Sequence, residues 1–165
     1  MQRNRFVLAA ALVGLALSLT TPAATAQAAD TPPTESGALL KWLQAGSYRQ
    51  WPKESAPHRS MGPHQGLVLT HLNPVLDKSM GAKAAAHPKG SAAVKEFQDS
   101  NGKLTGWAVS VKTAAASDGG KGWYWYEILG ASAGGNVVAQ ANGVPLCSAC
   151  HMRGRDFVLT PHPLD

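Results

Sequence analysis

Cysteine and charged residues are both scarce in this chain. Its 165 residues include two cysteines, and 15% of them are charged while 44% are apolar. Two cysteines exclude the disulfide network that holds small secreted scaffolds together. The low charge and ordinary apolar content exclude a disordered chain, which is typically highly charged and poor in apolar residues. At this length we expect one folded domain.

Basic patches are missing as well. The formal net charge is +5, but no two Lys or Arg residues are adjacent. A nucleic-acid-binding surface concentrates its basic residues in a patch or stripe. The sequence therefore does not predict nucleic-acid binding.

A long apolar run occurs only at the N-terminus, over residues 6–17, after Arg3 and Arg5. It is shorter than the roughly 20 residues of a membrane-spanning helix. Residues 24–28 follow it and offer the small-x-small pattern of a cleavage site twice. We predict a signal peptide over residues 1–28, with an uncleaved anchor as the alternative. The mature protein is then expected to be periplasmic or otherwise exported, with no stable membrane span.

The two cysteines and an adjacent histidine form the strongest motif. Cys147, Cys150 and His151 stand in the order Cys-x-x-Cys-His, which is typical of c-type haem attachment. Two thiols about one helical turn apart can bond to the two vinyl groups of a haem, and the adjacent imidazole can bind its iron. The motif therefore predicts one covalently attached haem c.

Two other uses of the cysteines are weaker alternatives. A structural zinc site needs four ligands, and no second Cys-x-x-Cys or closely spaced His pair accompanies this motif. A thioredoxin-like redox pair does not need the histidine.

The motif lies near the C-terminus, since the chain continues from His151 only to Asp165. The common small helical cytochromes carry the motif near the N-terminus, with a methionine ligand many residues later. Here the sole methionine after the motif is Met152, which excludes that architecture. A four-helix bundle and a strand-rich fold remain.

The middle of the chain favours the strand-rich fold. Alternating residues from 91 to 97 and from 106 to 113 flank Asn101-Gly102, a strong hairpin signal. The aromatic run 123–129 follows a turn at 118–120, and residues 67–72 form a further strand-like run. Helices are predicted over 38–45, from Pro74 onward and at 147–151. We predict an α+β fold in which an antiparallel sheet carries a few flanking helices, with domain boundaries at 1–28, 29–47 (a leader and short N-terminal helix) and 48–165 (the haem domain).

An ordered set of short segments resembles the cytochrome P460 family. The segments are Tyr-Arg-Gln-Trp-Pro at 48–52, His-Gln-Gly at 64–66, residues 87–96, Gly-Trp at 106–107, Val-Lys at 111–112, Trp-Tyr-Trp-Tyr-Glu at 123–127, the haem motif at 147–151 and Asp-Phe-Val-Leu-Thr at 156–160. The resemblance implies a β-rich monohaem fold, usually a homodimer, and the family includes the β-sheet cytochromes c′ that bind nitric oxide.

The resemblance also implies roles for single residues. In the enzymes of the family a lysine is cross-linked to the haem ring, and Lys95 matches its position. A snorkelling surface lysine is the structural alternative. The enzymes use a distal carboxylate where this chain has Ala108, and Val68 stands where a basic residue is expected. Glu127 shares a strand face with the aromatic residues and is a further candidate for the distal pocket, although a rim position is the simpler expectation.

The other metal-capable residues are expected to have structural roles. We interpret Met80 as a core residue. Four histidines are interpreted as solvated or hydrogen-bonded: His58, His64, His71 and His87.

Two functions follow from these expectations. The first is redox chemistry on a small nitrogen compound, such as hydroxylamine or nitric oxide, at an open haem iron, with electrons passed to a soluble partner protein. The alternative is a non-enzymatic gas-binding or electron-transfer protein. No catalytic residue is assigned from the sequence.

Overall fold

A computed structural model describes residues 31–64 and 66–165. The predicted signal peptide lies outside the described residues. These described residues form three α-helices: α1 (Ser36–Gln44), α2 (Pro74–Gly81) and α3 (Pro145–His151). The same residues form six strands: β1 (His58–Arg59), β2 (Leu67–Leu72), β3 (Ala92–Gln98), β4 (Leu104–Lys112), β5 (Trp123–Leu129) and β6 (Asn136–Asn142).

The six strands form one antiparallel sheet in the order of the sequence, β1 to β6. Tight turns make this meander possible. Gly102, with a φ of 76°, lies in the turn between β3 and β4, and the Asp99 carboxylate accepts hydrogen bonds from the backbone N–H groups of Asn101 and Lys103. The alternation predicted for β3 and β4 is confirmed, and so is the sheet-rich α+β fold class.

One face of the sheet packs against α1 and the segment that follows it. Leu39 and Leu43 of the helix are fully buried, together with Tyr48. They cover the larger apolar cluster, whose sheet residues are Ala92, Val94, Trp107, Val109, Val111, Tyr124, Tyr126 and Ile128. The Tyr48 hydroxyl donates a hydrogen bond to the Glu96 carboxylate at 2.5 Å and accepts one from Trp107 Nε1 at 2.8 Å.

The opposite face carries the smaller apolar cluster. Its buried members are Leu72, Leu76, Trp123, Trp125 and Val158, and Met80 and Cys147 pack against them. Helix α2 covers part of this face after its N-cap Asn73, whose side chain accepts a hydrogen bond from Leu76 N–H at 2.9 Å. Met80 is partly buried and packs against this cluster, in agreement with the structural role that its helical position predicted.

Two strands were not predicted. Strand β6 has only one buried residue, Ala139, so it lacks the apolar alternation on which a prediction depends. Strand β1 has only two residues, too few to show an alternation of apolar and polar side chains in the sequence. In addition, α3 begins at Pro145 rather than at Cys147, because proline is well suited to the first turn of a helix.

No helix in the part of the chain that the structure describes is long and apolar enough to cross a membrane.

Candidate functional site

Helix α3 places the three motif residues on one of its faces. Cys147, Cys150 and His151 occupy positions i, i+3 and i+4 of the helix, which lie on the same helical face. Both cysteines are free thiols and half-buried. Burial raises the pKa of the Cys147 thiol to about 11, so that this thiol is protonated at neutral pH.

The His151 ring is fixed from two directions. Its Nδ1 lies 2.9 Å from the carbonyl oxygen of Phe157, so Nδ1 carries the proton and donates it to this acceptor. The ring centre lies 4.6 Å from that of Trp125. Burial lowers the pKa of His151, which favours the neutral imidazole. The second nitrogen, Nε2, has no hydrogen-bond partner among the described residues and is available as a metal ligand.

A buried ion pair anchors the loop that presents the Phe157 carbonyl. The Asp156 carboxylate contacts the Lys112 ammonium and the Ser117 hydroxyl, and it accepts a hydrogen bond from His87 N–H at 2.6 Å. Burial raises the pKa of Asp156, but the hydrogen bonds from these three donors outweigh burial and leave that pKa lower than usual. Asp156 and Phe157 both have positive φ angles, of 47° and 68°.

Three of the predicted site residues are direct neighbours across the sheet. Lys95 of β3 pairs with Ala108 of β4, and Ala108 pairs with Glu127 of β5. Because residues opposite each other on neighbouring strands point to the same face, the three side chains form one row, here called the central row. This face is the one that carries Trp125 and Cys147. Val68, buried on β2, pairs with Phe97 of β3, which lies two residues after Lys95 and points to the same face.

Lys95 has an unusual environment for a cation. Burial lowers the pKa of its amine, and its side chain makes no hydrogen bond or ion pair with another described residue. Lys95 is half-buried and lies on the face that carries the Cys-x-x-Cys-His motif. A snorkelling lysine is half-buried as well, because its stem packs against apolar surface while its amine stays in water.

His64 also reaches this site, which the sequence did not predict. Its Nδ1 lies 3.1 Å from a Glu127 carboxylate oxygen, and 15% of its side chain is exposed. This is a close electrostatic contact without the alignment of a hydrogen bond, since Nδ1 has no hydrogen-bond partner in the part of the chain that the structure describes. The ring centre of His64 lies 5.4 Å from that of Phe97 and 6.4 Å from that of His151. Only the path of the loop before β2 brings His64 here, and no local sequence pattern specifies that path.

Three other predicted histidines lie elsewhere. His58 is exposed and lies 3.3 Å from Glu54, and His87 Nδ1 shares a hydrogen bond with the Ser79 hydroxyl at 2.9 Å. His71 is buried against Tyr48 on the opposite face, and neither of its ring nitrogens has a hydrogen-bond partner among the described residues. The expectation that His71 is solvated or hydrogen-bonded was wrong. Side chains alternate between the two faces of the sheet along β2, and the position of His71 points its ring into the core.

A cavity of about 650 Å³ lies away from this site. It is lined by residues 31–34, by Lys89 and Gly90, and by residues 111–113. None of the haem-motif or central-row residues lines it. Among the described residues, no three His, Cys, Asp or Glu side chains converge as ligands for a bare metal ion.

No protein-family model matches the chain, and no curated protein is significantly similar to it.

The site can be summarised by its chemical groups. Helix α3 contributes two thiols and one imidazole nitrogen that has no hydrogen-bond partner in residues 31–64 and 66–165, while the sheet contributes an amine, a carboxylate and aromatic walls. Two buried indole nitrogens on this face, those of Trp123 and Trp125, have no hydrogen-bond partner among the described residues. This set could hold a flat aromatic cofactor through two covalent bonds and one metal–nitrogen bond.

Proposed function

We propose that this chain is an exported c-type monohaem protein, similar to cytochrome P460, that carries out redox chemistry on a small nitrogen compound such as hydroxylamine or nitric oxide. The observation that carries the proposal is that the Cys-x-x-Cys-His motif and the central row lie on the same face of the sheet. Lys95, Ala108 and Glu127, selected from separate strands, lie side by side on the face that Cys147 and His151 approach.

The donor set on α3 fits a covalently attached haem. Each thiol S–H can add across one vinyl C=C, forming one C–S and one C–H bond, so attachment needs no oxidant. His151 offers Nε2 because Nδ1 is bound to the Phe157 carbonyl, and such a second contact orients a histidine ligand and raises its basicity. When bound, the haem iron supplies the binding position and the electron acceptor.

Glu127 supplies the carboxylate that is missing at Ala108. Oxidation of hydroxylamine releases protons as well as electrons, so a proton acceptor is needed near the iron. Ala108 has no acidic group, but its direct partner across the sheet is Glu127, whose side chain is 16% exposed. We assign the role of proton acceptor to Glu127, one strand away from the position expected from the family.

Lys95 is the candidate for a covalent link to the haem ring. Its side chain is half-buried and has no hydrogen-bond or ion-pair partner among the described residues, and the lowered pKa of its amine favours the neutral, nucleophilic form. Forming a bond from this nitrogen to a ring carbon removes two hydrogens, so the reaction needs a two-electron oxidant such as hydrogen peroxide.

The non-enzymatic alternative is favoured by a different observation. Ala108 and the buried Val68 give one part of the face an apolar lining without acid or base. A protein that uses only this part would bind nitric oxide or carry electrons without turning over hydroxylamine. In either case a soluble electron-transfer partner and a homodimer are expected from the resemblance to the family.

The first experiment compares haem attachment and the absorption spectrum in three proteins. The full chain, Lys95→Ala and the control Lys103→Ala, an exposed lysine in the neighbouring turn, are each produced with the haem-attachment machinery. A strongly red-shifted main band of the ferrous protein, lost in Lys95→Ala and kept in the control, supports the link. A colourless protein refutes the haem proposal, and an ordinary high-spin spectrum in all three refutes the link.

A second experiment separates the two functions. Hydroxylamine turnover with an artificial electron acceptor is measured for the native chain and for Glu127→Gln. Loss of a general base typically lowers the rate by about 10²–10⁴-fold. Nitric oxide binding without any hydroxylamine turnover in the native chain would instead support the gas-binding alternative.

A further inference from the structure

His64 and His151 lie on opposite sides of the central row. The His151 ring packs against Trp125, which belongs to the row Ala93–Ser110–Trp125 on one side. The His64 ring packs near Phe97, which pairs with Gly106 on the other side. A flat group standing on the central row would therefore have one imidazole on each side.

The distance between the two rings matches a shared metal ion. Metal–imidazole bonds are about 2.0–2.1 Å long, and each ring centre lies about 1.1 Å behind its nitrogen, so two imidazoles facing each other across one metal have centres about 6 Å apart. The observed separation is 6.4 Å. A histidine that only hydrogen-bonded to an iron-bound molecule would lie farther away, because that molecule and a hydrogen bond of about 2.9 Å would separate it from the iron.

Both rings have an oxygen atom close to Nδ1, although only the contact of His151 is an aligned hydrogen bond. His151 has its Nδ1 at the Phe157 carbonyl, and His64 has its Nδ1 3.1 Å from the Glu127 carboxylate. Neither Nε2 has a hydrogen-bond partner among the described residues. A carboxylate behind the non-ligating nitrogen is the usual support of a metal-binding histidine, since it sets the tautomer and the ring orientation.

We infer that His64 is the second axial ligand of the haem iron in the resting protein, and that Glu127 is the positioning residue that holds it. This inference rests on the proposed function, because it requires the haem on Cys147 and Cys150. It adds a regulation of the iron site: a small nitrogen compound must displace His64 before it can bind. Displacement also frees the Glu127 carboxylate to accept a proton from the incoming molecule.

The test is the spin state of the ferric iron, measured by electron paramagnetic resonance and absorption on the haem-loaded full chain. We expect a low-spin, six-coordinate iron in the native protein and a high-spin iron in His64→Ala. Adding free imidazole to His64→Ala should restore the low-spin spectrum. His58→Ala, which removes an exposed histidine, is the matched control and should keep the native spectrum.

Two further readouts separate ligation from a packing role. Free imidazole should bind His64→Ala at least about tenfold more tightly than the native protein, because no internal ligand has to be displaced first. Glu127→Gln keeps an acceptor oxygen and should retain the low-spin state, but with a higher reduction potential because a neutral amide makes His64 a weaker donor.

Three outcomes would overturn the inference. A native protein that is already high-spin shows that His64 does not bind the iron. A low-spin native protein that His64→Ala leaves unchanged shows that another group is the ligand. A protein without covalent haem overturns the proposed function and this inference with it, whereas the first two outcomes leave the proposed function standing.

Discussion

Replacing Asp156 with asparagine tests how the C-terminal loop is held beneath His151. The Asp156 side chain is 6% exposed and pairs with Lys112, whose side chain is fully buried. Asparagine tolerates the positive φ of this position, so the change removes the charge and leaves the backbone conformation available. The Lys112 ammonium is then left buried without its counter-ion.

The expected loss of stability is about 3–5 kcal/mol, the usual cost when one partner of a buried ion pair is removed. The Ser117 hydroxyl and His87 N–H would also lose a charged acceptor. The matched control is Asp118→Asn, which breaks the contact with Lys121 at 3.9 Å, where both side chains are more than two-thirds exposed. Exposed pairs contribute about 0–1 kcal/mol, so the control should change stability little.

The assay is urea unfolding of both variants and the native chain at several pH values. The pKa of Asp156 is lowered in the folded protein. The ionised carboxylate therefore contributes its full amount to the free energy of unfolding above the ordinary carboxyl pKa. This contribution is lost as the pH falls through the pKa that Asp156 has in the folded protein. The difference between native chain and Asp156→Asn should therefore be largest at neutral pH and shrink below about pH 4. A difference below 1 kcal/mol at pH 7, or one that does not change with pH, would refute the reasoning.

Two further predictions concern single groups in the core and in the loop. Tyr48→Phe removes a hydroxyl that makes two buried hydrogen bonds and should cost about 1–3 kcal/mol in urea unfolding; Tyr124→Phe, whose buried hydroxyl has no partner among the described residues, is the control and should be neutral or stabilising. Gly154→Ala places a Cβ 2.2 Å from the Val158 carbonyl oxygen, so the turn must open. We expect lower thermal stability and, in the haem-loaded protein, a shifted reduction potential because the His151 contact with this loop weakens; an unchanged melting temperature would contradict the steric argument.

Local patterns in the sequence predicted most of the sheet. The alternation on either side of Asn101-Gly102 identified β3 and β4 and assigned Lys95 and Ala108 to their faces, because side-chain direction in a strand has a strict period of two. The same period assigned Glu127 to the face of Trp125. Strand β6 carried no such signal, since all but one of its residues are at least partly exposed.

Spacing along one helix specified the geometry of the Cys-x-x-Cys-His motif, because Cys147, Cys150 and His151 are close in sequence and their arrangement is local. The meander followed from the strand pattern, but the register that aligns Lys95, Ala108 and Glu127 in one row was decided by the tertiary structure. Contacts between distant segments were decided only by the tertiary structure. The Lys112–Asp156 pair and the position of His64 beside Glu127 depend on how loops cross the sheet, and loop paths are set by packing and charge pairing across the whole fold rather than by neighbouring residues.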